Sequence, residues 1–264
     1  MVEPARQTNM SQADNLHHAV VVIPTYNERE NLPVVCQKVI EATEGSVHLL
    51  IVDDNSPDDT GELADELAKQ YPQLHVMHRQ RKEGLGRAYV AGFGKALEMG
   101  YRLIAQMDAD LSHDPADLPR LMQAIEHADL VIGSRYVAGG GVSNWSPLRY
   151  WLSFFANRYV RLITHLPLRD ATGGYRCWKR EVIETICLDT IRSNGYAFQI
   201  EMAYRAYRMG FRIQEIPIVF IERRAGRSKL SKRAIWEAIW LPWKLRFGKT
   251  SSVGSPVRTS SPSV

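Results

Sequence analysis

Leu103-Ile104-Ala105-Gln106-Met107-Asp108-Ala109-Asp110-Leu111-Ser112-His113 decides how the chain is read. Its first five residues make a short, mostly apolar run of strand length, and it stops at two carboxylates two positions apart. Residues two apart in a strand share a face, and the turn at a strand end can aim both at one cation. Two hard oxygen donors from one turn, with positions left for phosphate oxygens, suit Mg2+ or Mn2+. The bland alternative is a surface turn in which Asp caps the next segment. His113 could stand near the cation, although a lone His in this setting is more often an ordinary turn residue.

Working outward from that stretch, the same strand-then-turn unit recurs. Ala19–Ile23 reads as a β-branched strand ended by Pro24, followed by helical spacing over Arg29–Thr43 with Pro33 in its first turn. Val47–Val52, Leu74–His78 and Leu130–Gly133 are further strands. Thr60–Gln70, Leu85–Met99 and Leu118–His127 are further helices. This alternation predicts an α/β fold with a mainly parallel twisted sheet and helices on both faces. Right-handed crossovers then gather the C-terminal ends of the strands at one edge. Pro24-Thr25-Tyr26-Asn27-Glu28, Asp53-Asp54-Asn55-Ser56, Asp108-Ala109-Asp110 and Gly133-Ser134-Arg135 all fall there. Asp53-Asp54 offers acceptors for a ribose or base edge, but taken alone an Asx turn entering a helix explains it better. No Gly-x-Gly-x-x-Gly follows the first strand and no Walker loop occurs, so dinucleotide and P-loop readings lose their support.

The 264 residues are 45% hydrophobic and 23% charged, which excludes wholesale disorder. Residues 1–17 and the Ser/Pro-rich 249–264 read as disordered tails flanking one domain over 18–248. Cys36, Cys177 and Cys187 share no metal spacing and make no disulfide framework, so a reducing, cytoplasmic setting is expected. The N-terminus shows no basic start followed by an apolar core, and no apolar run approaches the ~18–20 residues a bilayer span needs. The net charge of +4 is uneven: residues 145–180 carry +6, residues 220–249 carry +7 and the remainder −9. That layout suggests a face that seeks anions, whether phosphate, anionic lipid or nucleic acid, and no nucleic-acid module is recognisable.

Two aromatic segments lie in the basic half. Leu148, Trp151, Phe155, Tyr159, Leu162, Ile163 and Leu166 form one helical stripe. Trp236, Trp240, Trp243 and Phe247 form a second, which Pro242 is expected to kink. Tryptophan beside Lys and Arg is the composition of a helix lying at a membrane interface; a core-facing stripe is the equal alternative. Trp178, Tyr204 and Tyr207 are expected in the core. Arg223-Arg224-Ala225-Gly226-Arg227-Ser228-Lys229 reads as an anion-binding turn, or as a solvated linker.

Taken in order, Val21–Glu28, Val52–Asp58, Gly84–Ala88, Met107–His113, Gly133–Tyr136 and the Arg-x-x-Gly-x-Ser-Lys of 223–229 resemble the inverting family-2 glycosyltransferases of GT-A fold. More closely, the chain resembles the dolichol- and polyprenol-phosphate mannose synthases, over about Ala19 to Phe247. The resemblance implies GDP-mannose as donor, dolichyl or polyprenyl phosphate as acceptor, and Mg2+ or Mn2+ as cofactor. It implies donor contacts at Pro24, Tyr26, Glu28, Val52, Asp54, Asp108, Ala109, Asp110, Arg135, Arg223 and Lys229. It places the acceptor phosphate at Arg135, Arg149 and Ser228. Asp108 and Asp110 would hold the metal and, with Arg135, act in catalysis. Some members carry Gln where this chain has Ser112, which puts Ser112 at a third metal position. Many relatives add C-terminal transmembrane helices; this chain resembles the compact class, expected to be peripheral on the cytoplasmic face of a membrane. A UDP-sugar donor such as UDP-glucose, or a non-catalytic membrane-binding module, are the alternatives.

Overall fold

The computed structural model describes residues 19–222 and 232–248, the side chains of 232–238 excepted. The alternation begins with β1 (Ala19–Thr25), α1 (Leu32–Ala42), β2 (His48–Asp53), α2 (Thr60–Gln70), β3 (Leu74–His78) and α3 (Leu85–Glu98). It continues with β4 (Leu103–Gln106), α4 (Leu118–Ala124), β5 (Leu130–Ser134), β6 (Gly141–Ser143) and α5 (Pro147–Thr164). Then come β7 (Arg176–Lys179), α6 (Arg180–Thr185), α7 (Gly195–Arg208), β8 (Ile213–Pro217), β9 (Val219–Ile221) and α8 (Lys232–Phe247).

Seven strands form one sheet in the order β3-β2-β1-β4-β7-β5-β8, and β6 pairs with β9 beside it. All pairs are parallel except those of β7, which runs antiparallel between β4 and β5. The sheet is therefore mainly parallel, as the alternation predicts, but β4 and β5 are not neighbours. β7 is four mixed residues, Arg-Cys-Trp-Lys, too short and too polar to announce itself by period. Strand β1 also continues past Pro24 to Thr25. Its pairing with β4 ends at Val22, so beyond that point only the β2 edge is bonded and the missing proline N–H is tolerated.

Both faces of the sheet are covered. Val20, Val22, Leu50 and Val52 pack with Tyr89, Phe93, Trp178 and Phe198 on one side. Val21, Ile23, Leu49 and Ile51 pack with Leu32, Val35, Leu67 and Leu121 on the other. A strand buried on both faces needs an unbroken apolar run, which is what Ala19–Ile23 supplies. Helix α3 approaches β1 and β2 at Gly92, where a Cβ would lie 2.4 Å from Val22 Cγ1 and 2.9 Å from Val52 Cγ2.

Trp178 and Tyr204 are core residues as expected, while Tyr207 is exposed. Helix α5 is inside out. Its buried residues are Asn157, Val160 and Thr164, whereas Leu148 is 79% and Leu162 73% exposed, with Trp151, Leu152 and Phe155 also outward. Helix α8 packs on α5 and α7 and runs unbroken through Pro242. Trp243 Nε1 donates to Tyr159 Oη at 2.7 Å, which in turn donates to the Ile239 carbonyl at 2.8 Å. Trp240, Trp243 and Phe247 remain exposed. Among the described residues no helix is long and apolar enough to cross a membrane.

Candidate active site

The C-terminal ends of β1, β2, β4 and β5 open into one cavity of about 1070 Å³. Pro24, Tyr26, Glu28, Asp54, Asp108, Ala109, Asp110, Arg135 and Arg149 line it. Val52 does not: it is fully buried in β2 beneath Gly92. Arg223, Ser228 and Lys229 lie outside the described residues.

At one end, the first two strand turns are stitched together. The Asn27 N–H donates to Ser56 Oγ and the Glu28 N–H to Thr60 Oγ1, both at 3.1 Å. Asp53 accepts from the Ser56 hydroxyl at 2.6 Å and backbone N–H at 3.1 Å, a local side-chain-to-backbone bond three residues on rather than the two of an Asx turn. Asp54 instead accepts the N–H groups of Glu83 and Gly84 and pairs with Arg79, so it anchors the loop over 79–84. That loop sets Lys82 Nζ 3.5 Å from the centroid of the Tyr26 ring.

On the floor, Asp108 and Asp110 project from the turn after β4. Asp108 Oδ1 accepts from Tyr89 Oη at 2.9 Å. Asp110 Oδ1 accepts from the Ser112 hydroxyl at 2.5 Å and its N–H at 3.1 Å. Leu111 between them has φ 60°, a left-handed conformation costly for leucine, and it folds Ser112 back onto Asp110. Ser112 thus stands behind Asp110 and does not line the cavity. His113 is not an exposed turn residue: it is buried, stacks on Tyr175 at 4.9 Å, and its Nδ1 accepts the Asp108 N–H at 3.3 Å. Burial lowers its pKa against the opposing pull of Asp108 and Asp110, so the ring is neutral and Nδ1 stays an acceptor.

The donor set fits a divalent cation. Both carboxylates line the cavity and both are hard oxygen donors. No group of three or more His, Cys, Asp or Glu suited to a metal is found among the described residues. Two carboxylates plus phosphate oxygens of a bound nucleotide would complete the coordination.

The opposite wall is cationic. Arg135 makes a two-pronged ion pair with buried Asp170, with Nε and Nη2 each 2.7 Å from a carboxylate oxygen, and Nη2 also donates to Thr172. Burial disfavours both charges, but the pair outweighs it: Arg135 is raised and Asp170 is held below the ordinary carboxylate range. Arg149 pairs with Glu222 and lies 4.2 Å from the Trp145 ring centroid. Behind this wall Arg176, fully buried, donates to the carbonyls of Ala171, Gly173 and Gln199, each at 2.8 Å. Burial pulls its pKa down to about 9, with Asp170 opposing, so it is charged at neutral pH. Tyr89, Asp170, Thr172 and Arg176 are parts of the site that sequence reasoning did not single out. Only Asp170 carried a signal, as the one acid among seven basic residues in 145–180.

Known proteins resemble the chain in sequence and in fold. A family model described as glycosyl transferase family 2 matches residues 20–187. The chain belongs to glycosyl transferase family 2. Within curated proteins it is 51% identical to the polyprenol monophosphomannose synthase of Mycolicibacterium smegmatis, over 86% of this chain and 87% of that one. It is 47% identical to the undecaprenyl-phosphate mannosyltransferase of Micrococcus luteus, over 83% and 90%. The fold is shared with glucosyl-3-phosphoglycerate synthase from Mycobacterium tuberculosis, crystallised with Mn2+, UDP and phosphoglyceric acid. There the TM-score is 0.62 at 16% identity, over 91% of this chain and 84% of that one. It is shared also with a mannosyltransferase from Pyrobaculum calidifontis bound to GDP-Man and Mn2+, at TM-score 0.55 and 17% identity, over 86% and 72%. The mainly parallel sheet of this family-2 member is thus the GT-A fold.

Proposed function

We propose that the chain transfers mannose from GDP-mannose to dolichyl or polyprenyl phosphate with inversion, giving polyprenyl-phosphate β-mannose. The observation that carries this reading is the pair of relatives near half identity over more than four fifths of the chain, both named for mannosyl chemistry on a polyprenyl phosphate. The site's chemistry supports it. A lipid phosphate monoester has a second pKa of ~6 and is largely a dianion at pH 7. It needs no strong general base, and among the described residues the one His in the cavity lining, His113, is held neutral with its Nδ1 taken by the Asp108 N–H. What it needs is a cationic wall that brings two anions together, which Arg135 and Arg149 supply. An acceptor phosphate oxygen bonds to the anomeric carbon as the bond to the donor's β-phosphate breaks, and the electron pair leaves with GDP.

Asp108 and Asp110 would hold Mg2+ or Mn2+, with Tyr89 and Ser112 fixing their oxygens. When bound, such an ion neutralises charge on the leaving diphosphate. The outward aromatic faces of α5 and α8, flanked by exposed Arg158 and Arg161, support peripheral docking on a membrane surface, and the cytoplasmic face is part of the proposal. Arg223, Ser228 and Lys229 complete the reading as further phosphate contacts. The test is a donor panel of GDP-mannose, UDP-glucose and UDP-galactose with a short polyprenyl phosphate and Mn2+, with the anomer of the product read by NMR. GDP-mannose turnover to a β-linked product is expected; an α-linked product or a UDP-sugar preference sinks the reading.

A further inference from the structure

Trp145 lies in the loop between β6 and α5 and lines the cavity. Its indole Nε1 is buried and has no hydrogen-bond partner among the described residues. A buried indole N–H almost always finds an acceptor, and leaving one unmet is costly. The surroundings say what acceptor fits. The Arg149 guanidinium stands 4.2 Å and that of Arg135 5.5 Å from the Trp145 ring centroid. Arg135 is already held by Asp170, so Arg149 is the cation an incoming anion meets, and a neutral N–H beside it calls for an anion with several acceptor oxygens. Glu222 already offers one such group, since its half-exposed carboxylate pairs with Arg149. Phe220 meets the Trp145 ring edge-on at 5.5 Å, and Trp240 lines the same cavity while being 63% exposed. Anion donors and an apolar exit thus adjoin, which suits a phosphate carrying a hydrocarbon chain.

We propose that the Trp145 indole N–H is a further donor to the acceptor's phosphate monoester, beside the Arg149 already assigned to it, and that Glu222 competes for Arg149 when the acceptor is absent. This rests on the function proposed above. The donor's diphosphate is the other possible source of the same chemistry, and the experiment separates them.

The probes are farnesyl phosphate and GDP, titrated calorimetrically into the full chain, alongside steady-state kinetics. Trp145→Phe keeps an aromatic face but deletes the N–H together with the indole's five-membered ring. It is expected to weaken farnesyl phosphate binding and raise the acceptor KM about tenfold, with GDP affinity and donor KM unchanged. Glu222→Gln is expected to move the other way, tightening farnesyl phosphate, because Arg149 is released from a carboxylate. If Trp145→Phe binds farnesyl phosphate as the parent does, or loses GDP affinity equally, the assignment is wrong. Should Trp145→Phe fail to fold, Glu222→Gln decides alone, and no tightening overturns the proposal. Absence of mannosyl transfer by the parent would sink the proposed function instead, leaving the subsite to stand or fall on the titrations.

Discussion

Asp110 and Asp170 are both buried carboxylates, yet they do opposite work. Asp110 sits in the cavity wall, where its charge is available to a bound cation. Asp110→Asn keeps the Ser112 contact in shape but removes that charge, and it should lower kcat/KM by about two to three orders of magnitude without unfolding the chain. A Mn2+ titration of initial rates checks this; parent-like activity would remove Asp110 from the metal. Asp170 is spent on Arg135. Asp170→Asn strands a buried guanidinium, so a loss of about 3–5 kcal/mol in urea denaturation is expected. The pH dependence follows from the sign of its shift. Because the folded carboxyl is held below the unfolded value of ~3.9, the pair's contribution is whole above that value and is lost as pH falls through the folded one. An acid titration of stability should therefore be flatter in Asp170→Asn. The cysteines give a third check. Burial pushes Cys36 and Cys177 up to about 12, while Cys187 is exposed, so one thiol should react quickly with a disulfide reagent in the native state and three in denaturant.

Among the elements, α3 shows how magnitudes settle a sign. Replacing a helical glycine with alanine gains up to ~1 kcal/mol in propensity. At Gly92 the new methyl would press on Val22 and Val52, both fixed in central strands, and overpacking of that kind costs about 1–3 kcal/mol. Gly92→Ala should thus lower the melting temperature, even though the residue is interior to a helix. Helix α5 obeys a different logic. Its buried residues include Asn157, whose amide donates to Thr172 Oγ1 at 3.1 Å and whose carbonyl accepts the Thr172 N–H. Polarity faces in and large apolar side chains face out. The stripe of 148–166 was legible as a stripe, but its direction was not, because periodicity reports that a face exists and not what covers it. Trp151→Glu with Phe155→Glu should abolish flotation with anionic liposomes at low salt while leaving the fold's melting temperature within a degree or two, since both side chains are already exposed.

Across the whole molecule, the charge map read from the sequence is redrawn by folding. The +6 of residues 145–180 is not a surface property. Arg176 is spent on three carbonyls inside the protein, Lys179 pairs with Asp129, and Arg180 with Glu184. Of that segment Arg149 alone faces the cavity, paired with Glu222, beside Arg135, which Asp170 holds, and the exposed Arg158, Arg161 and Arg169 lie on or near α5. Membrane association driven by these few charges and the aromatic face should weaken between low and high salt without vanishing. Complete release at high salt would assign the binding to charge alone.

The strand alternation, the edge at which the polar turns meet and the Asp108–Asp110 turn were all determined by the sequence itself, because each rests on local period and on chain chirality. Tertiary structure alone decided the rest. It inserted β7 between β4 and β5, pairings across about seventy and about forty-five residues that no local pattern encodes. It turned Arg135 toward Asp170, moved Val52 beneath the floor, set Ser112 behind Asp110 and His113 in the cavity lining against the Asp108 N–H, and left the Trp145 N–H without a partner among the described residues. Each of these is a contact between residues distant in sequence or a direction of a side chain. Residue type and spacing fix which groups are present, and only packing in three dimensions fixes which of them meet.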